Sequence, residues 1–159
     1  MTTDLHLAVE GVLASVEQRY TPRRRALVRA LAAAGKPLTL PDVLAAEPTL
    51  VQSSAYRNLA VLEAAGVVHR VIGPASDFAR YELAEGLTEH HHHLVCTGCG
   101  AVADVSIPHK LERAIERAIG ELAETEGFEV DAHRLDLLGR CRPCASGSAT
   151  TREAELRQA

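Results

Sequence analysis

The 159-residue sequence predicts an α+β fold in two unlike parts. Three observations predict it. Apolar residues recur at helical spacing up to residue 65 and give way to two short strand-like runs. A second half follows in which strand-like runs surround one long helical stretch. Two Cys-x-x-Cys pairs, which hold all 4 cysteines, bracket most of that second half. Charge divides in the same place: residues 1–83 carry 9 Lys/Arg and 8 Asp/Glu, whereas residues 84–159 carry 8 and 13, so the two parts face different partners.

The first part begins with Leu5–Tyr20, where Leu5, Val9, Val12, Leu13 and Val16 lie on one helical face. Thr21-Pro22 is a helix start, an N-cap followed by proline at the first helical position, and leads into Arg23–Ala34, which Gly35 stops. Thr39, Pro41 and Asp42 open a short helix that Pro48 ends. Ser53 or Ser54 caps a longer helix, Ala55–Ala65. Val67–Ile72 and Ala79–Leu83 read as strands joined by a Gly-Pro-Ala-Ser turn region. Helices followed by a hairpin make a winged helix-turn-helix over residues 1–83, with Ser53–Ala65 as the helix placed to enter a major groove.

Residues 84–89 read as a hinge, and residues 90–144 as an α/β unit with strands at His92–Val95, Ala101–Ile107 and Phe128–Leu138 and a helix at Pro108–Thr125. That helix carries Leu111, Ile115, Ile119 and Leu122 as an apolar stripe, suited to a core or a dimer seam. Residues 145–159 read as an exposed tail.

Composition narrows the function classes. A hydrophobic content of 47% with 24% charge is that of a globular protein, and 3% aromatics without Trp leaves the core to Leu, Val, Ile and Ala. No run approaches the roughly 18 apolar residues of a membrane span, and the N-terminus lacks a signal-peptide pattern. A cytoplasmic location and no membrane partner are therefore expected. In that reducing compartment Cys-x-x-Cys pairs are metal ligands before they are disulfides.

Cys96, Cys99, Cys141 and Cys144 aim four sulfurs at one point, a closed tetrahedral zinc set that staples one end of the unit to the other. The run His90–His93 needs a separate explanation. Alternate side chains of an extended segment face opposite ways, so His90 and His92 serve one site, and His91 and His93 another. Glu82, Glu85, Glu89 or Asp104 can complete one of these sites, and His133 with Glu112 or Glu116 the other. Such mixed nitrogen and oxygen ligation suits Zn²⁺ or Fe²⁺. On the first part, Ser53, Ser54, Tyr56 and Arg57 offer hydroxyl, phenol and guanidinium groups to phosphates and base edges, beside an arginine cluster at Arg19, Arg23, Arg24, Arg25 and Arg29. An ordinary capped helix with a solvated charged face explains those residues equally well.

Ser-Ser-Ala-Tyr-Arg-Asn-Leu (53–59), Tyr-Glu-Leu (81–83), the His/Cys block 90–100 and His133 through Gly139-Arg140-Cys141 together resemble the ferric uptake regulator family, from about Tyr20 to Cys144. The resemblance implies a homodimeric, metal-dependent DNA-binding repressor of metal-uptake genes, with an N-terminal winged helix and a C-terminal α/β dimerisation domain. It implies structural zinc on Cys96, Cys99, Cys141 and Cys144, and a regulatory Zn²⁺ or Fe²⁺ on Glu82, His91, His93 and Asp104. It further implies an additional metal on His90, His92, His133 and a glutamate. Counting from Cys99 makes that glutamate Glu112; counting back from Gly127 makes it Glu116. Arg24, Tyr56 and Arg57 match residues the family uses on double-stranded operator DNA. Two departures stand out. Lys36-Pro37-Leu38 occupies the place where many iron-type members have a histidine, and His92 replaces a usual Asp, a zinc-type feature. Iron- or peroxide-sensing members are the alternative within the family. A structural zinc module for protein contacts is the alternative outside it. A zinc hydrolase or deaminase would need an open metal position, which four cysteines do not leave, so no enzyme is expected.

Overall fold

The structure, a computed structural model, describes residues 2–71 and 79–147. Four helices come first: α1 (Thr2–Ser15), α2 (Pro22–Ala34), α3 (Leu40–Ala46) and α4 (Gln52–Ala64). α1 stops short of the expected Tyr20 because Glu17 adopts the left-handed region at φ 57° and Gln18 N–H donates back to the Leu13 carbonyl at 2.8 Å. Thr21 caps α2 through its hydroxyl, and Gly35 ends it at φ 56°. Thr39 and Asp42 form a reciprocal capping box at the start of α3. The expected serine cap of α4 is not what forms. The helix starts at Gln52 with Val51 as N-cap and no side-chain cap, because the Ser54 and Ala55 amides both bond the Val51 carbonyl at 2.9 Å.

The wing is a three-stranded antiparallel sheet, β1 (Leu38–Thr39), β2 (Val68–Val71) and β3 (Arg80–Leu83), in the order β1-β3-β2. β1 is two residues long, too short for any periodicity to announce. Its pairing of Leu38 with Tyr81 closes the sheet onto the helices. Ile72, the Gly-Pro-Ala-Ser turn and tail residues 148–159 lie outside the described residues. Val9, Leu13, Leu27, Val43, Leu59, Leu62 and Val67 are fully buried, and the whole main apolar cluster belongs to this first part. Each such side chain contributes about 1.5–3 kcal/mol by leaving water.

After a single 3₁₀ turn (Glu85–Leu87), the second part comprises β4 (His92–Cys96), β5 (Val102–Val105), α5 (His109–Glu126), β6 (Asp136–Gly139) and α6 (Arg142–Ala145). β4 is central, antiparallel to β5 and parallel to β6. The expected strand Phe128–Leu138 forms only at its end. Residues 128–135 have no partner strand among the described residues, and Phe128 is 71% exposed. α5 buries none of its residues, leaving Leu111 and Leu122 of its stripe in solvent. Arg80 joins the two parts by donating from Nε to the Gly100 carbonyl at 3.0 Å. No helix among the described residues is long and apolar enough to cross a membrane.

Candidate metal centres

The two Cys-x-x-Cys turns meet because β4 and β6 run parallel, pairing Cys96 with Gly139 and so bringing Cys141 and Cys144 onto Cys96 and Cys99. The four sulfurs lie within 4.8 Å of one another. Cys96 Sγ accepts from the Gly98 amide at 3.4 Å and the Cys141 amide at 3.3 Å, bonds that favour a thiolate. Those backbone donors, the Cys141 amide foremost, bring the Cys96 thiol down to about 6. Hydrogen bonding to Cys141 and burial push the Cys144 thiol up to about 12. Four thiolates cannot crowd together without a cation among them, and the donor set is that of a closed tetrahedral zinc site. The same crowding favours glycine at position 98: a Cβ there would meet Cys144 Cβ and Sγ at 3.0 Å and press them aside by a few tenths of an ångström.

The histidine run divides as strand geometry dictates. Glu82, His91, His93 and Asp104 form one cluster whose donor atoms lie within 4.8 Å of one another. Glu82 Oε2 is 2.9 Å from His93 Nε2 and 3.4 Å from His91 Nε2, and Asp104 Oδ1 is 3.9 Å from His93 Nε2. Glu82 comes from β3 of the first part, opposite His69, and the other three from β4, its approach and β5. Burial pulls the Glu82 carboxyl upward, but hydrogen bonds from His93 and His91 outweigh it and leave the group below its usual range. Hydrogen bonding to Glu82 raises His93, against burial. A cavity of about 350 Å³ between Gly35, Lys36 and residues 88–91 is lined by Glu82, His91 and Asp104 of this cluster.

His90, His92, Glu112 and His133 form the other cluster, again within 4.8 Å. Glu112, at the start of α5, stands 2.9 Å from His92 Nε2, 3.0 Å from His133 Nε2 and 3.2 Å from His90 Nε2. Of the two glutamates left open by counting, Glu112 is the one brought to the histidines. Among the described residues Asp104 Oδ1 is buried without a hydrogen-bond partner, and Glu112 Oε1 and His133 Nε2 lie 3.0 Å apart yet make no hydrogen bond there. Unpaired buried donors and acceptors that converge in this way fit a metal ion, which satisfies them together.

Three other ring nitrogens have outer partners, whereas His92 Nδ1 is buried without a hydrogen-bond partner among the described residues. His90 Nδ1 faces Glu85 at 2.9 Å, His91 Nδ1 the Glu89 carbonyl at 2.9 Å, and His93 Nδ1 Asp136 at 3.1 Å. Glu85 and Glu89 therefore stand outside the ligand clusters. The sequence alone did not point to Asp136; only the parallel pairing of β6 with β4, which sets Asp136 opposite His93, could have.

On α4, Ser53 and Arg57 are exposed and Tyr56 is 51% exposed, so these three form a surface a duplex can reach. Ser54 does not. It is buried, and its hydroxyl and carbonyl both take the Asn58 amide. The Arg24 guanidinium is spent within the fold, on Asn58 Oδ1 at 3.2 Å, the Arg19 carbonyl at 2.6 Å and Gln18 Oε1 at 3.1 Å. Arg25 lies over the Tyr20 ring at 4.5 Å, and Arg29 pairs with Glu47. Much of the arginine cluster holds α2 to its neighbours, a role helix periodicity does not reveal.

The model of the ferric uptake regulator family matches residues 15–138. The peroxide-responsive repressor PerR of Staphylococcus aureus (strain USA300) is 29% identical over 143 residues, 86% of this chain and 90% of that protein. The ferric uptake regulator of Pseudomonas aeruginosa with manganese superposes with a TM-score of 0.65 at 27% identity, covering 82% of this chain and 95% of that one. The Helicobacter pylori ferric uptake regulator Fur, described with three functional metal binding sites, superposes with a TM-score of 0.68 at 21% identity, covering 91% and 94%.

Proposed function

The chain belongs to the ferric uptake regulator family of metal-responsive transcriptional regulators, and on that premise we propose that it is a homodimeric repressor of metal-uptake genes whose regulatory ion is zinc. The observation that carries this is the Glu82, His91, His93, Asp104 cluster, one carboxylate from the winged-helix part and three donors from the other, on either side of the Glu85–Leu87 turn. Four donors of two nitrogens and two oxygens suit a tetrahedral Zn²⁺. The Cys96, Cys99, Cys141 and Cys144 set holds a permanent zinc, and His90, His92, Glu112 and His133 a further ion.

Bound metal would supply a cross-link between the two parts. Glu82 then holds the angle of the wing against His91 and His93, with residues 84–89 as hinge. The exposed apolar faces of α5 and of β4 and β6 (Leu94, Leu111, Leu122, Leu137, Leu138) are covered by a second copy. Two α4 helices then present Ser53, Tyr56 and Arg57 to successive major grooves of a pseudo-palindrome. Ligand binding favours the one angle that fits DNA, and its loss frees the hinge and derepresses transcription. A four-cysteine ligand set accords with a cytoplasmic setting, where thiols stay reduced.

An anaerobic titration of operator binding with Zn²⁺, Fe²⁺ and Mn²⁺, on protein keeping its Cys₄ zinc, tests the proposal. Activation by zinc at lower free concentration than by iron or manganese is expected, and His91→Ala with His93→Ala abolishes it. Preferential activation by Fe²⁺ would replace zinc with the iron- or peroxide-sensing reading that the named relatives favour. No sequence-specific DNA binding under any metal would leave only a structural zinc module.

A further inference from the structure

We propose that Asp136 is a positioning residue of the regulatory centre: its carboxylate holds the His93 ring so that Nε2 faces the ligand cluster. The inference rests on the reading of Glu82, His91, His93 and Asp104 as that centre. His93 is 3% exposed, with Nδ1 at 3.1 Å from Asp136 Oδ1 on one side and Nε2 at 2.9 Å from Glu82 on the other. A ring held at Nδ1 by a carboxylate has one orientation and one tautomer, and its Nε2 is a stronger donor to a metal. Asp136 is itself held. Arg134 donates from Nε to Oδ1 and from a terminal nitrogen to Oδ2, both at 3.0 Å.

The placement also ties the centres together. β6 sets Asp136 beside His93 by the parallel register, and the His93 amide bonds the Leu135 carbonyl at 3.2 Å. Three residues before Asp136 stands His133 of the second cluster, and five after it stands Cys141 of the sulfur cluster. The position of the Asp136 carboxylate is thus set by segments that end in the two other metal clusters. The alternative is that Asp136 serves only its surface ion pair with Arg134, whose side chains are 31% and 43% exposed. Such a pair contributes about 0–1 kcal/mol, so stability and metal affinity separate the two roles.

The test uses full-length protein with intact Cys₄ zinc, in a His90→Ala, His133→Ala background that leaves the regulatory centre to be titrated alone. Zn²⁺ affinity is read by chelator competition and coordination by the visible absorption of Co²⁺. Asp136→Ala should lose roughly 10- to 100-fold in affinity and weaken the Co²⁺ bands, with Asp136→Asn, which keeps one acceptor oxygen, in between. Arg134→Ala, which breaks the same ion pair but leaves the carboxylate on His93, should stay within about threefold. Unchanged affinity in Asp136→Ala overturns the proposal. So does a loss matched by Arg134→Ala, or one accompanied by loss of the Cys₄ zinc, since either marks a structural role. If the parent background binds no ion that His93→Ala removes, the regulatory assignment itself fails.

Discussion

Replacing Glu82 by alanine should separate metal binding from DNA binding. Glu82 is the member of its cluster that comes from the winged-helix part; His91, His93 and Asp104 all come from the other. An ion held by those three alone gains nothing from one hinge angle over another, and a ligand without differential affinity shifts no equilibrium. Moving a regulator from about 1% to about 99% in its DNA-binding arrangement takes about 5.5 kcal/mol. Shared between the two centres of a dimer, this is roughly 2.7 kcal/mol each, within the range of about 1–3 kcal/mol usual for coupled sites. One carboxylate, 8% exposed and directed at two imidazoles, is a sufficient source. Fluorescence anisotropy on an operator duplex selected from random DNA, at fixed salt with and without saturating Zn²⁺, measures the coupling, and chelator competition measures zinc affinity. Zinc should tighten operator binding by the unsubstituted chain by roughly 100-fold or more. In Glu82→Ala zinc should still bind, more weakly, while its effect on DNA affinity falls below about threefold. If Glu82→Ala at saturating zinc tightened on DNA as much as the parent, the wing would be held by some other contact, and the mechanism would be wrong.

Zinc affinity of the same centre should rise with pH. Hydrogen bonding to Glu82 lifts His93 above its ordinary 6.5, so its share of the metal-free pair's stability is complete below 6.5 and is lost as pH rises through the lifted value. Glu82 lies below its ordinary 4.5, so its share is present above 4.5 and is lost as pH falls through the lowered value. The metal-free pair is therefore strongest between those two values, and zinc must displace the His93 proton. His91 is raised as well, so competition titrations should show affinity falling about tenfold per pH unit for each of the two histidine protons that zinc displaces. Cys96→Ser removes the thiolate that both the Gly98 and Cys141 amides bond, and should release the permanent zinc with loss of secondary structure in residues 90–144, read by zinc content and circular dichroism. Leu59→Ala empties a fully buried position and should cost about 2–5 kcal/mol in urea unfolding without changing zinc stoichiometry. Arg57→Ala should weaken operator binding and lower the salt dependence by about one unit, whereas Ser54→Ala, at a buried position, should leave DNA contacts unchanged.

Where an outcome depended on a residue's own neighbours, the sequence was legible. Thr21 and Thr39 start helices because the hydroxyl that caps is three residues from the amide it takes. The division of His90 and His92 from His91 and His93 follows from the alternation of an extended chain, and the cysteine pairs announced their own convergence. The serine cap of α4 misled because Ser54 meets Asn58 one turn on, a competition between helix and side chain that residue type alone does not decide.

What the sequence could not carry was which elements meet. Glu112 rather than Glu116 reaches the histidines because of where α5 starts relative to β4, and helical spacing fits either residue. Asp136 sits at His93 because β6 pairs parallel to β4 across some forty residues of chain, a register set by long-range hydrogen bonds. Residues 128–135 have strand-like composition yet no partner strand among the described residues, and composition cannot supply one. Local pattern sets the direction of a side chain relative to its own backbone. Tertiary pairing decides what lies in that direction.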